Sequence, residues 1–232
     1  FSILLPTIYF LSVSAFEVNV DEKRMQSVQG KPVIAHPYFH TGMDAPNSVA
    51  ACFHASVDHW KDAHKLLETW TGEISAAVYF LLPKVDDNAL LRVKKQACGI
   101  VNALSPNVSR RLHLHLAIDY QRPKWHAYPV NFMRNIALRY HRSEYAFVVS
   151  AKTYFPPNVV GDIMDGVDLV NGWPRVAIIL PMIQLEPNML WSDVSNKSEM
   201  IGLLASNKAF IPHKFYKPAQ GSTDLVRWTT AL

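Results

Sequence analysis

The sequence is poor in the residues from which familiar disulfide, nucleotide and hydrolase motifs are made. Its 232 residues hold two cysteines, Cys52 and Cys98, too few for a disulfide framework and not spaced as C-x-x-C, so they fix no redox compartment. The nine glycines never fall as G-x-G-x-x-G and none precedes Lys-Ser/Thr in Walker spacing, which removes those two routes to nucleotide binding. No G-x-S-x-G elbow occurs, so the usual serine hydrolase is excluded. Charge of one sign is scarce as well. Lys and Arg total 23 against 19 Asp and Glu, and this net charge of +4 is scattered rather than gathered in a patch. A pI near 9.0 therefore does not make a nucleic-acid binder, and no nucleic-acid partner is expected.

What is there describes a folded chain. With 49% hydrophobic and 11% aromatic residues, it is too apolar for disorder and long enough to bury a core without staples. Residues 1–15, from Phe1 to Ala15, carry no charge and end in Ser-Val-Ser-Ala, the small-x-small pattern of a signal-peptidase site. The run is shorter than the roughly 20 apolar residues that span a bilayer, so it reads as the remnant of a signal peptide or membrane anchor, with a buried strand as the alternative. Any membrane attachment would run through this N-terminal anchor. Two sequons, Asn107-Val-Ser109 and Asn196-Lys-Ser198, mark Asn107 and Asn196 as N-glycosylation sites and fit a secretory route.

Residues 16–47 are polar and punctuated by Pro32, Pro37, Gly42 and Pro46, and read as a stem or irregular entry segment. A domain over 48–232 follows, in which strands and helices alternate. Ser48 to Phe53, Ile74 to Leu82, Leu112 to Ile118 and Tyr145 to Val149 are apolar runs of strand length. Between them, helices are predicted over Val57 to Trp70 with Ser56 as N-cap, over Asp86 to Leu104 with Leu90, Leu91, Ala97 and Val101 inward, and over Pro129 to Arg142. Further on, helices are expected at Val159 to Val170 and Lys197 to Ala205 and a strand at Arg175 to Leu180. This order predicts an α/β fold with a mostly parallel central sheet flanked by helices, its ligand site lying just after Phe53, Leu82, Ile118 and Val149.

Three clusters carry possible chemistry. His113 and His115 lie two apart on one strand face with Asp119 beyond, a geometry that offers two nitrogens and a carboxylate to zinc, as in a zinc hydrolase; the alternative is a strand face that happens to hold histidines. Asp162, Asp165 and Asp168 recur every third residue, and without an EF-hand order they read as a solvated helix face. His54, His59 and His64 fall at a spacing that aligns on no helix face and read as surface residues. The stretch from Tyr128 places Asn131, Arg134 and Asn135 in the first two turns of a helix, where they either meet an anionic group or tie the helix to the next strand.

That same stretch, Tyr128-Pro129-Val130-Asn131 with Arg134-Asn135 and then Tyr145, Phe147 and Pro156, resembles the glycosyltransferase family that contains the LARGE-type xylosyl- and glucuronyltransferases and the β-1,4-glucuronyltransferases. Its members share a Y-P-V-N-x-x-R-N helix followed by Y-x-F-x-x-D-x-D-x-x-P. Upstream, Ser56-Val57-Asp58 and the W-x-G-x-I-S-x-A-V-Y pattern at Trp70 to Tyr79 are similar to the same family. So are Lys197-Ser198-Glu199-Met200 and Thr223 to Trp228 downstream.

The resemblance implies a GT-A-like nucleotide-sugar-binding fold and a UDP-sugar donor with a glycan acceptor. Transfer of glucuronic acid or N-acetylglucosamine would take place in the Golgi lumen, by a type II membrane or secreted protein. It places Tyr128, Asn131, Arg134, Asn135, Ser150 and Lys152 at the nucleotide-sugar site and Gln184 and Glu186 at the sugar or acceptor.

It also implies Mn²⁺ as cofactor, held by the D-x-D, but here those positions read Ser150-Ala151-Lys152. A hydroxyl and an ammonium do not hold a divalent cation, so no metal ligand is assigned. From Pro181 onward the chain is similar to a P-A-F-E segment of the family, whose acid falls on Gln184, a side chain that bonds a hydroxyl but is no base. The family pattern, with a late metal-binding histidine, continues past Leu232. A catalytically inactive relative that binds glycan or protein is the corresponding alternative to an active transferase.

Overall fold

A computed structural model describes residues 34–43, 49–83, 86–120, 128–170, 180–186, 189, 194, 196–212 and 225–230. The expectations for residues 1–15 and for a strand at 175–180 lie outside them, apart from Leu180 itself. The described residues form two compact units, one over 34–153 and one from Tyr154 onward.

The first unit is a five-stranded sheet in the order β1-β4-β3-β2-β5. Strands β2 (Val49–Ser56), β3 (Glu73–Leu82), β4 (Leu112–Tyr120) and β5 (Tyr145–Val148) run parallel, whereas β1 (Ile34–His40) pairs antiparallel with β4. The mostly parallel α/β sheet expected from the alternating pattern is therefore what the chain builds. β3 and β4 are buried along almost their whole lengths because helices cover both faces, which is why they read as unbroken apolar runs. Chain order runs from β2 outward through β3 to β4 and then returns to the other side of β2 with β5, so the topological switch point lies between β2 and β5.

Helix α4 (Val130–Arg139) covers one face. Ala50, Cys52, Ala77, Ala117 and Ala146 are small enough to let it approach, and Met133, Ile136 and Ala137 fill the gap. On the opposite face, by strand alternation, Phe53 stacks on Trp60 with centroids 5.7 Å apart, and Phe147 meets the fully buried Trp70 edge-on at 5.3 Å. The Trp70 indole N–H donates to Glu73 O at 2.8 Å. Gly72 is required beneath that ring, since a Cβ there would stand 2.8 Å from Val49 O and 3.1 Å from the indole nitrogen. Arg111 closes the corner by donating to the carbonyls of Trp70, Gly72 and Leu67.

Four sequence expectations need correction. The segment before Asn47 is not wholly irregular, because Ile34–His40 forms the edge strand, its register broken between His36 and His40 and Tyr38 in the left-handed region at φ 56°. The helix expected from Val57 starts as 3₁₀ over Val57–Ala63 and becomes α1 only at His64–Thr69, and Ser56 makes no side-chain cap bond, its hydroxyl pairing with His59 instead. In α2 (Asp87–Asn102) the buried residues are Ala89, Val93 and Ala97, while Leu91 faces solvent. A short helix α3 (Pro106–Arg111), capped by Ser105, precedes β4. Asp86 is the N-cap of α2 and accepts from Ala89 N–H at 2.8 Å. Asp86→Ala is expected to cost about 1 kcal/mol, read as a fall of roughly 2–4 °C in melting temperature by circular dichroism.

In the second unit, α5 (Val159–Val170) and α6 (Lys197–Ala205) have the bounds expected from sequence. Between α5 and the end of the unit, the two-residue strands β6 (Gln184–Leu185) and β7 (Ala209–Phe210) pair antiparallel around Leu185, Val194 and Ala209, and α7 spans Leu225–Thr230. Asn196 caps α6 by accepting from Glu199 N–H at 2.9 Å, and the Lys197 ammonium lies 5.2 Å from the centre of the Trp228 ring.

Candidate functional site

The α4 face of the sheet carries polar groups at both ends of its strands, with apolar residues between. At the amino ends, Glu73, Ser75, His113 and His115 are buried. His115 Nδ1 accepts from the backbone N–H of Tyr38 at 3.1 Å, so Nε2 carries the proton and donates to Ser75 Oγ at 2.9 Å, which in turn donates to Ala137 O at 2.7 Å. Burial pushes its pKa down to about 3. His113 Nε2 stands 3.8 Å from Glu73, whose carboxylate accepts from Arg142 N–H and from the Ser143 hydroxyl. The zinc reading of His113, His115 and Asp119 fails here on bonding grounds. Both nitrogens of His115 are spent on protein partners, and Asp119 lies at the far end of the strand accepting from Tyr79 OH at 3.0 Å.

At the carboxyl ends, the chain forms a cleft of about 570 Å³ where β2 passes into the 3₁₀ segment and β3 passes into its loop. Ser56, Val57 and Asp58 line one side, Tyr79 to Pro83 the other, Arg92 and Gln96 approach from α2, and Tyr128 closes it. Tyr128 is positioned by its neighbours: its hydroxyl pairs with His54 Nδ1 at 2.9 Å and its ring meets Tyr79 edge-on at 5.2 Å. Desolvation raises its pKa to about 12, so the phenol stays neutral. His54 is thus half-buried in this network and not a surface residue; burial first, and then the Arg134 charge, lower its pKa and keep the imidazole uncharged.

The sequence-predicted residues do not all gather here. Tyr128 lines the cleft, and the exposed Arg134 on α4 reaches it only as a charge that lowers the His54 pKa. Asn131 and Asn135 are exposed on the same helix. Ser150 and Lys152 lie in the turn after β5, at the same sheet edge, where Lys152 Nζ pairs with Asp62 at 3.4 Å. Gln184 and Glu186 belong to the second unit, both exposed, the Glu186 N–H donating to Lys208 O. Asp162 and Asp165 share α5, and desolvation and their mutual repulsion raise the pKa of Asp162. Asp58, Tyr79, Arg92 and Gln96 were not singled out as site residues by sequence. The available signals were the family-like segments that contain Asp58 and Tyr79, Asp58 just after β2 and Tyr79 near the carboxyl end of β3; Arg92 and Gln96 on α2 carried none.

The donors at the end of β5 do not fit a divalent cation, since a hydroxyl and an ammonium stand there and the one nearby carboxylate in this contact, Asp62, is already paired. Among the described residues, no three His, Cys, Asp or Glu side chains converge to hold a metal ion. None of the described helices is long and apolar enough to cross a membrane.

Residues 118–232 match the family model described as glycosyl-transferase for dystroglycan. No curated protein matches the chain. The matched segment opens at the end of β4 and carries Tyr128, α4 and the β5 turn, which are the parts that meet at the carboxyl edge of a GT-A-like sheet. Over residues 118–232, just under half of its length, the chain is similar to the glycosyltransferase family for dystroglycan.

Proposed function

We propose that the chain binds a UDP-sugar donor in the cleft between the carboxyl ends of β2 and β3 and presents it to a glycan acceptor. The supporting observation is that Tyr128 belongs both to this cleft and to the segment matching the glycosyltransferase family. The cleft has the composition a nucleotide asks for. Tyr79 and Tyr128 offer aromatic surface to a base, the Asp58 carboxylate can accept from ribose hydroxyls, and Arg92 and Gln96 supply donors. The transferred sugar on this reading is glucuronic acid or N-acetylglucosamine. Gln184 and Glu186 serve the sugar or the acceptor, and the protein works in the Golgi lumen. Both sequon asparagines, Asn107 and Asn196, are exposed, as glycan carriers in that compartment must be.

Calorimetric titration with UDP tests the reading. Saturable binding is expected, weakened about tenfold or more in Tyr128→Ala because a stacked base is worth roughly 1–3 kcal/mol. Absence of UDP binding would sink it. A second reading, a non-catalytic module that keeps the cleft for binding, is favoured by one observation: Ser150 and Lys152 stand where the family has carboxylates, and Lys152 is tied to Asp62. UDP release from UDP-glucuronic acid or UDP-N-acetylglucosamine in the presence of a glycan acceptor separates the two, since a binding module gives none.

A further inference from the structure

We propose that Lys152, held at the sheet edge by Asp62, supplies the positive charge for a bound nucleoside diphosphate, so that this chain binds its nucleotide without a divalent cation. The inference rests on the nucleotide-binding reading above and goes beyond it by naming the counter-charge.

The path of the backbone places Lys152. Beyond β5 the Val149 N–H still donates to Cys52 O at 2.9 Å, so the chain leaves the sheet beside β2, at the switch point. It then turns sharply. The Ser150 hydroxyl accepts from Lys152 N–H at 3.3 Å and the Ser150 carbonyl accepts from Thr153 N–H at 3.1 Å. Ser150 is thereby spent on shaping the turn, and the next long side chain, Lys152, extends to Asp62 Oδ2 at 3.4 Å. Asp62 lies on the 3₁₀ segment whose first residues, Val57 and Asp58, line the cleft. The ammonium is therefore anchored to the same segment that forms the nucleotide wall.

The charges at this edge exclude one ligand and suit another. A divalent cation placed at the Asp62 carboxylate would face the ammonium already there, and like charges repel at that range. A diphosphate meets the opposite situation. The lysine side chain is 72% exposed against 22% for Asp62, and an exposed ion pair of this kind contributes little, so the ammonium can exchange Asp62 for phosphate oxygens at small cost.

Calorimetric titration of the full chain with UDP, in excess EDTA and again in Mn²⁺, tests this. Equal affinity within about twofold is expected in the two buffers, with a loss of at least tenfold for Lys152→Ala and retention within about threefold for Lys152→Arg. Because Lys152 is exposed, these variants should fold, and unchanged circular dichroism checks that they do. In a second measurement, spin-resonance titration with Mn²⁺ alone, the wild type should take up none at this site, while Lys152→Asp gains a site that is lost again in Lys152→Asp/Asp62→Ala. Binding of UDP only when Mn²⁺ is present, or undiminished binding by Lys152→Ala, overturns the inference and leaves the proposed function standing. No UDP binding in either buffer overturns both.

Discussion

Trp70→Ala will lower the free energy of unfolding by about 3–5 kcal/mol, measured by urea denaturation, the cost of removing a large aromatic from a closed core. The side chain is fully buried, and four elements converge on it. It caps α1 through its N–H to Leu66 O, donates from the indole to Glu73 O at the start of β3, meets Phe147 of β5, and receives the Arg111 guanidinium on its own carbonyl. The gap cannot be filled by collapse, because Gly72 beneath the ring has no side chain to move in. A loss below about 1 kcal/mol would mean that this corner is not the closed one described.

The second large effect is acid sensitivity. His115 is held neutral in the fold, with a pKa of about 3. In the unfolded chain it titrates near 6.5, so below that pH the unfolded state takes up a proton the folded state refuses. Stability therefore falls as pH falls from about 6.5 toward 3, and above 6.5 this group has little influence. Between pH 7.5 and pH 5, His115 alone removes about 2 kcal/mol, by 1.36 kcal/mol per unit. His113, His54 and His141 are also lowered by burial and act in the same direction, although Glu73 opposes the shift at His113 and His141. Urea midpoints at pH 7.5, 6.5, 5.5 and 5 check this; a flat profile would contradict it. His115→Asn will start less stable at pH 7.5 and show a shallower slope.

These two effects also mark where sequence reasoning reached. The parallel strands were legible because burial on both faces leaves apolar runs such as ISAAVYFLL, whereas the cap that Asn196 supplies to α6 was not, its side chain standing out only as part of a sequon. Nor was the edge strand. His36, Pro37 and His40 read as loop, and only pairing with β4 makes them strand. Equally, the two-residue spacing of His113 and His115 correctly put both on one face, but that face is a buried one whose hydrogen bonds come from Ser75 and Tyr38, forty and seventy-seven residues away. Tyr128 could be singled out by its motif. Ser56, Val57, Asp58 and Tyr79 also fall in family-like segments, but that they line one cleft with Tyr128 follows only from the folding that joins the ends of β2 and β3 to α2, and Arg92 and Gln96 on α2 carry no motif at all. The Lys152–Asp62 pair was hidden for the same reason, since its halves are brought together by strand order alone.

Strand order has one more consequence, in time rather than in space. β1 pairs with β4, Ile34 opposite Ile118, more than eighty residues later in the chain. At ribosomal rates of about 5–20 residues per second, the edge strand emerges roughly 4–17 s before its partner exists. During that interval its backbone groups and the aromatic Tyr38 have no native docking place, and β2 with β3 can form the first parallel pair ahead of it. The first strand of the sheet in sequence is thus among the last to be seated during synthesis, and its proline at position 37, which cannot donate to a neighbouring strand, limits what else it can join while it waits.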